Sequence, residues 1–163
     1  MNSTSHSIAK GILTKEINMD KDSVIREGNR VYLKSAITRQ ITNCIANENY
    51  RAGIFVSLRP KLDIVAEILK DIVEEYHMIS DSNDNRSIIL SQNEVIMKFE
   101  SGSTIKAVVA SENSRGRKFN DIICDHQIDK ELIDVVVKPT FINYDHFNPN
   151  SREYSLKFIE CEF

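Results

Sequence analysis

The chain has 163 residues, 41% of them hydrophobic and 28% charged, with a formal net charge of −3. That is enough for one domain with a sizeable core, and it excludes a global electrostatic pull on nucleic acid, so any such contact must be local. The three cysteines, Cys44, Cys124 and Cys161, have no metal-ligand spacing and read as reduced, buried thiols. No run approaches the ~18 apolar residues of a membrane span, and the polar start lacks a secretory pattern, so a cytoplasmic setting is expected.

In chain order, Ile8, Ile12, Leu13 and Ile17 have loosely helical spacing across Gly11, and residues 1–29 read as an N-terminal arm or helix ending in a charged connector. Residues 30–163 read as a single core domain. Within it, residues 30–34 (RVYLK) look like a strand, followed over 35–46 by a loop passing into a helix that the polar residues 47–51 end. Residues 53–57 (GIFVS) form a short apolar run between turn-like residues, which predicts a strand buried on both faces.

Pro60 suits a first helical turn. Behind it Leu62, Val65, Ala66, Leu69, Ile72, Val73 and Tyr76 repeat at helical spacing, opposite Asp63, Glu67, Lys70, Asp71 and Glu74. Two strands are expected at 86–90 and 94–99, then a tight hairpin at Ser101-Gly102-Ser103 into a strand over 104–110. A basic loop, Ser114 to Lys118, precedes the apolar run Ile122-Ile123-Cys124, which ends on Asp125 and His126.

A short helix is expected over about 129–137, stopped by Pro139, and a last strand is read from the alternation of Tyr154, Leu156 and Phe158. This order of elements predicts an α/β sheet with an inserted antiparallel hairpin. An apolar strand at the end suggests that part of a larger sheet is missing, or that a partner covers its edge.

These residues resemble the ATPase domain of large terminase subunits, the motors that package DNA into phage heads, over about residues 30–163. Thr38-Arg39-Gln40-Ile41 is similar to the preamble of the terminase phosphate-binding loop. Met97 to Ile105 resembles the hairpin with its Asn-Gly-Ser turn, Ala110 to Gly116 the arginine-glycine element, and Ile122 to Asp125 the Walker B strand.

The resemblance implies a partial P-loop NTPase-like (ASCE-type) three-layer sandwich with a mostly parallel sheet. It also implies a phosphate loop at Arg39, Gln40 and Asn43, and Mg²⁺ on Asp125. By position, Arg115 would be an arginine reaching a neighbouring subunit's nucleotide.

The departures are chemical. Where the family has Gly-Lys-Thr/Ser, this chain has Thr42, Asn43 and Cys44, so the phosphate-binding cation is absent and a thiol replaces an oxygen ligand. The catalytic glutamate position is His126, a candidate base that cannot restore phosphate binding. The expectation is a pseudo-ATPase with weak ATP and Mg²⁺ binding, partnered by an active packaging ATPase or another subunit.

The alternative is an ATP-independent binding module that contacts DNA or a host protein through Arg115, Arg117 and Lys118 and through the C-terminal strand. For Asp125 the structural alternative is capping of the helix near Asp129, and for Arg39 a solvated helix start. His126 and His146 are weighed as co-ligands of a metal on Asp125.

Overall fold

The computed structural model describes residues 21–76, 88–142 and 152–163. A six-stranded mixed sheet carries helices on both faces, and its strand order is β2-β3-β4-β1-β5-β6. The strands are β1 (Arg51–Val56), β2 (Ile88–Leu90), β3 (Glu94–Lys98), β4 (Thr104–Val109), β5 (Asp121–Asp125) and β6 (Phe158–Cys161). The pairs β1–β4, β1–β5 and β5–β6 are parallel, whereas β2–β3 and β3–β4 are antiparallel. The architecture is α/β, mostly parallel, with the antiparallel hairpin expected from Ser101-Gly102-Ser103.

That turn is a glycine turn for a steric reason. Gly102 has φ of +83°, and a Cβ there would lie 2.5 Å from Asn49 Oδ1. The turn closes by Gly102 N–H donating to Phe99 O at 3.0 Å and Phe99 N–H donating to Ser103 O at 3.0 Å.

The central strand β1 is buried at every residue from Ala52 to Val56, as a run apolar on both sides predicts. Its alternate residues feed two cores. Ala52, Ile54 and Val56 pack with the helices α1 (Lys21–Ala46) and α2 (Pro60–Tyr76) on one face. Phe55 packs on the other face with Phe119, Ile122, Ile133 and Val137.

There the segment after β5 forms one short turn of α-helix, α3 (Lys130–Leu132), continued by a π-helical turn, Ile133–Val137, and a 3₁₀ turn, Lys138–Thr140. Helix α4 (Arg152–Lys157) follows. Gly53 allows the close approach of this layer, since a Cβ at Gly53 would meet the Phe119 ring at 2.8 Å.

Helix α2 matches its expected span. Leu62, Val65, Leu69 and Ile72 are buried, and Asp63, Glu67, Lys70, Asp71 and Glu74 are exposed. Each fully buried Leu, Ile or Val contributes roughly 1.5–3 kcal/mol, so this one stripe is a principal reason the helix docks.

Three expectations fail. The charged connector from Lys21 onward, the strand over 30–34 and the loop behind it are together one helix, α1. The helical period wins because Leu33, Ala36, Ile37, Gln40, Ile41 and Cys44 form a single buried stripe, while Val31 and Tyr32 face solvent.

The last strand is also shorter than expected. Tyr154 and Leu156 belong to α4, and only Phe158 onward is extended. At helical spacing the Tyr154 and Phe158 rings stack, with centroids 5.4 Å apart and planes at 14°. The apolar pattern at 8–17 and His146 lie outside the described residues. Among the described residues no helix is long and apolar enough to cross a membrane, and β6 is one of the two edges of the described sheet, β2 being the other.

Candidate functional site

From β1 the chain crosses α2 and the hairpin to β4 on one side; from β5 it crosses to β6 on the other. The carboxyl ends of β1 and β5 therefore flank the point where the connections diverge, the usual crevice for a ligand in an open α/β sheet. Asp125 closes β5 there, and Ser57 follows the last residue of β1.

Asp125 is fully buried and completely engaged. Its Oδ2 accepts from Ser57 N–H at 2.8 Å, Ser57 Oγ at 2.5 Å and Lys61 Nζ at 2.8 Å. Its Oδ1 accepts from Gln127 N–H at 3.0 Å. Lys61, in the first turn of α2 and 9% exposed, also donates to Ser57 Oγ at 2.9 Å and Gln127 Oε1 at 2.8 Å. The ammonium thus has three acceptors for its three protons.

Burial alone would push Asp125 up, but hydrogen bonds from Lys61, Ser57 and Gln127 outweigh it and hold the carboxyl below its ordinary value. Asp125 does not cap the following helix; Asp129 does, accepting from Glu131 N–H at 3.2 Å.

His126 is half-exposed. Its Nδ1 lies 3.2 Å from Cys161 O and 3.9 Å from Asp125 Oδ1. The carbonyl requires the ring proton on Nδ1, which leaves only Nε2, on the far side of the ring, as a basic atom.

The other expected binding residues lie at the opposite end of β5. Gln40 and Asn43 sit within α1 and turn toward Asp121, which begins β5, about 13 Å from Asp125 at about 3.3 Å per residue. Gln40 Nε2 donates to Asp121 Oδ1 at 2.7 Å and to Gly53 O at 3.0 Å. Tyr50 OH donates to Asp121 Oδ2 at 2.6 Å, and Asn43 Nδ2 reaches it at 3.4 Å.

Burial raises the Asp121 carboxyl above its ordinary value, and the hydrogen bonds from Tyr50, Gln40 and Asn43 offset this only in part. Arg39 donates to Leu156 O at 3.4 Å. Cys44 is buried, its thiol 3.7 Å from Thr104 O, and burial followed by the charge of Asp121 pushes it up to about 12.

The expected phosphate loop is therefore corrected. Arg39, Gln40, Thr42, Asn43 and Cys44 are helical, their backbone N–H groups lie inside a helix, and the two polar side chains brace Asp121 rather than face Asp125. The residues do not fit a Mg²⁺–nucleotide pair, because Lys61 already neutralises the carboxylate that would hold the metal and residues 39–44 form a helix rather than a loop that could cradle a phosphate. Nor do three or more His, Cys, Asp or Glu side chains gather into a metal-binding group among the described residues.

The basic loop divides. Arg115 pairs with Glu112 at 2.6 Å and approaches Val135 O at 3.5 Å. Lys118 donates to Pro139 O at 3.0 Å. Arg117 turns the other way, 3.9 Å from Glu94.

Sequence reading missed Ser57, Lys61, Gln127 and Asp121 as members of these clusters. A lysine one residue after the helix-opening proline was the available signal for Lys61. Its partner is 64 positions away, and no local pattern announces it.

The class that fold and site define is an open, mostly parallel α/β protein whose switch-point carboxylate is neutralised by its own lysine. Comparisons of the chain with protein-family models, with curated proteins and with solved structures gave no match.

Proposed function

We propose that the chain is a catalytically inactive relative of the terminase ATPase core, acting as a structural or regulatory subunit of a viral DNA-packaging motor in the host cytoplasm. The observation that carries the reading is the Lys61–Asp125 pair. A carboxylate at the end of a central parallel strand is where a P-loop NTPase of the ASCE type holds its metal, and here an internal ammonium takes the metal's electrostatic role. The order β1, α2, hairpin, arginine loop and β5 supports the same relationship.

Such a core contributes shape rather than turnover. The edge strand β6 supports engagement through a neighbouring protein, since strand addition satisfies backbone groups and leaves specificity to alternate side chains. The binding-module alternative, through Arg115 and Lys118, has less support, because both side chains already bond to their own surface.

Calorimetry with ATP and Mg²⁺ tests the inactive assignment, and heat from tight, Mg²⁺-dependent binding would overturn it. Hydrogen exchange tests the partner. On mixing with a packaging ATPase that bears Gly-Lys-Thr, amides 158–161 gain protection; unchanged exchange and no co-purification would refute the subunit role.

A further inference from the structure

Beside the switch point, at the carboxyl end of β4, lies a cleft of about 500 Å³ with Val108 and Val109 in its wall. Arg59, from the turn between β1 and α2, stands on it, as do Arg117, Ser111 and Asn113 from the segment after β4 and Glu94 from the start of β3. Among the described residues Glu94 is the one carboxylate of the cleft's lining. It is shared by Lys106 at 3.4 Å and Arg117 at 3.9 Å, and Arg59 lines the same cleft. Arg59 donates through Nε, to Gln92 O at 2.6 Å, and its terminal nitrogens meet no acceptor among the described residues, so they can serve a ligand.

We propose that this cleft is a phosphate-ester site, with Arg59 and Arg117 as the two guanidinium forks and Glu94 as an internal counter-ion that the phosphate displaces. Guanidinium forks from two elements match the geometry of phosphate oxygens. The hydroxyl of Ser111 and the amide of Asn113 add uncharged donors. The valine wall offers apolar surface to a sugar or base, and the volume exceeds what a bare phosphate fills. The surplus of positive charge is local, as a chain of net charge −3 requires. The site is separate from the Lys61–Asp125 cluster and does not depend on the inactive-ATPase reading.

The phosphate can belong to a nucleic-acid strand or to a free nucleotide, and the experiment distinguishes the two. Fluorescence anisotropy with a labelled oligothymidylate at low salt, and calorimetry with AMP and with inorganic phosphate, are run on the full chain and on Arg59→Ala, Arg117→Ala and Glu94→Gln. Each arginine variant is expected to weaken binding about tenfold and, if the ligand is a strand, to reduce the salt slope by about 0.7. Glu94→Gln is expected to tighten binding, a change that misfolding cannot produce.

Binding of the oligonucleotide alone identifies a strand site, and binding of AMP identifies a nucleotide site. No binding of any probe overturns the proposal. So does binding that Arg115→Ala or Lys118→Ala abolishes while the cleft variants leave it intact, or that Glu94→Gln weakens.

Discussion

Lys61 Nζ lies 2.8 Å from Asp125 Oδ2, joining the first turn of α2 to the end of β5 at the switch point of the sheet. Both partners are withdrawn from water, since the carboxylate is fully buried and the lysine side chain is 11% exposed. Removing the lysine alone strands a buried charge, which costs about 3–5 kcal/mol. Urea unfolding at pH 7 should show that loss for Lys61→Met. The double variant Lys61→Met/Asp125→Leu should be clearly more stable than the sum of its single changes; additivity would mean the two groups are not coupled in solution.

Asp125 and Asp121 terminate the same strand and respond to pH with opposite sign. The Asp125 carboxyl is lowered on folding, so its contribution is present above the unfolded value of about 3.9 and is lost as pH falls through the lower folded value. Asp121 is raised, so its contribution is complete below the unfolded value and is lost as pH rises through the folded one. Urea midpoints against pH should therefore flatten above pH 4 in Asp121→Asn, whereas Asp125→Asn should remove the loss of stability at lower pH. Identical profiles for the two variants would contradict the assignment.

Introducing phosphate-loop residues should not create a nucleotide site. Thr42→Gly, Asn43→Lys and Cys44→Thr together alter the middle of α1. A helical glycine and a hydroxyl buried at Cys44 are each destabilising, by roughly 0.5–1 and 1–3 kcal/mol. Circular dichroism should show a lowered melting temperature, and calorimetry no binding of ATP with Mg²⁺. Micromolar binding by the triple variant would mean that α1 can open into a loop.

The thiols should be silent in the native protein. Cys44, Cys124 and Cys161 are all buried, and burial pushes Cys44 up to about 12 and Cys161 up to about 11, with neighbouring carboxylates adding to it. The thiolate is the reactive form, so iodoacetamide at pH 8 should label none of them until denaturant is added. Rapid native labelling of any one would place that residue in an opening segment.

Close packing at Gly53 should be equally visible. Gly53→Ala puts a methyl group 2.8 Å from the Phe119 ring, between β1 and the layer that covers it. An overpacked core of this kind costs about 1–3 kcal/mol, measurable as a lower urea midpoint with an unchanged slope. No shift would show that Phe119 moves aside freely.

What could be read from the residues alone is what local chemistry dictates. Pro60 and the stripe behind it are sufficient for α2, the unbroken apolar run 53–56 for a buried strand, and Gly102 at positive φ for the hairpin. Asp125 was recognisable as the end of a strand on the same grounds. Residues 30–34 misled because Val31 and Tyr32 favour a strand in isolation, while the buried positions that make them helical extend to Cys44.

The tertiary structure alone decided the partners. Gln40 and Asn43 serve Asp121 rather than a phosphate, Arg117 leaves its neighbours to reach Glu94, and Lys61 closes on Asp125. Each pairing joins residues far apart in the chain and depends on strand order. Hydrophobic period and turn chemistry act over a few residues, whereas the charge state of a buried carboxylate depends on whatever the fold brings within about 3 Å of it.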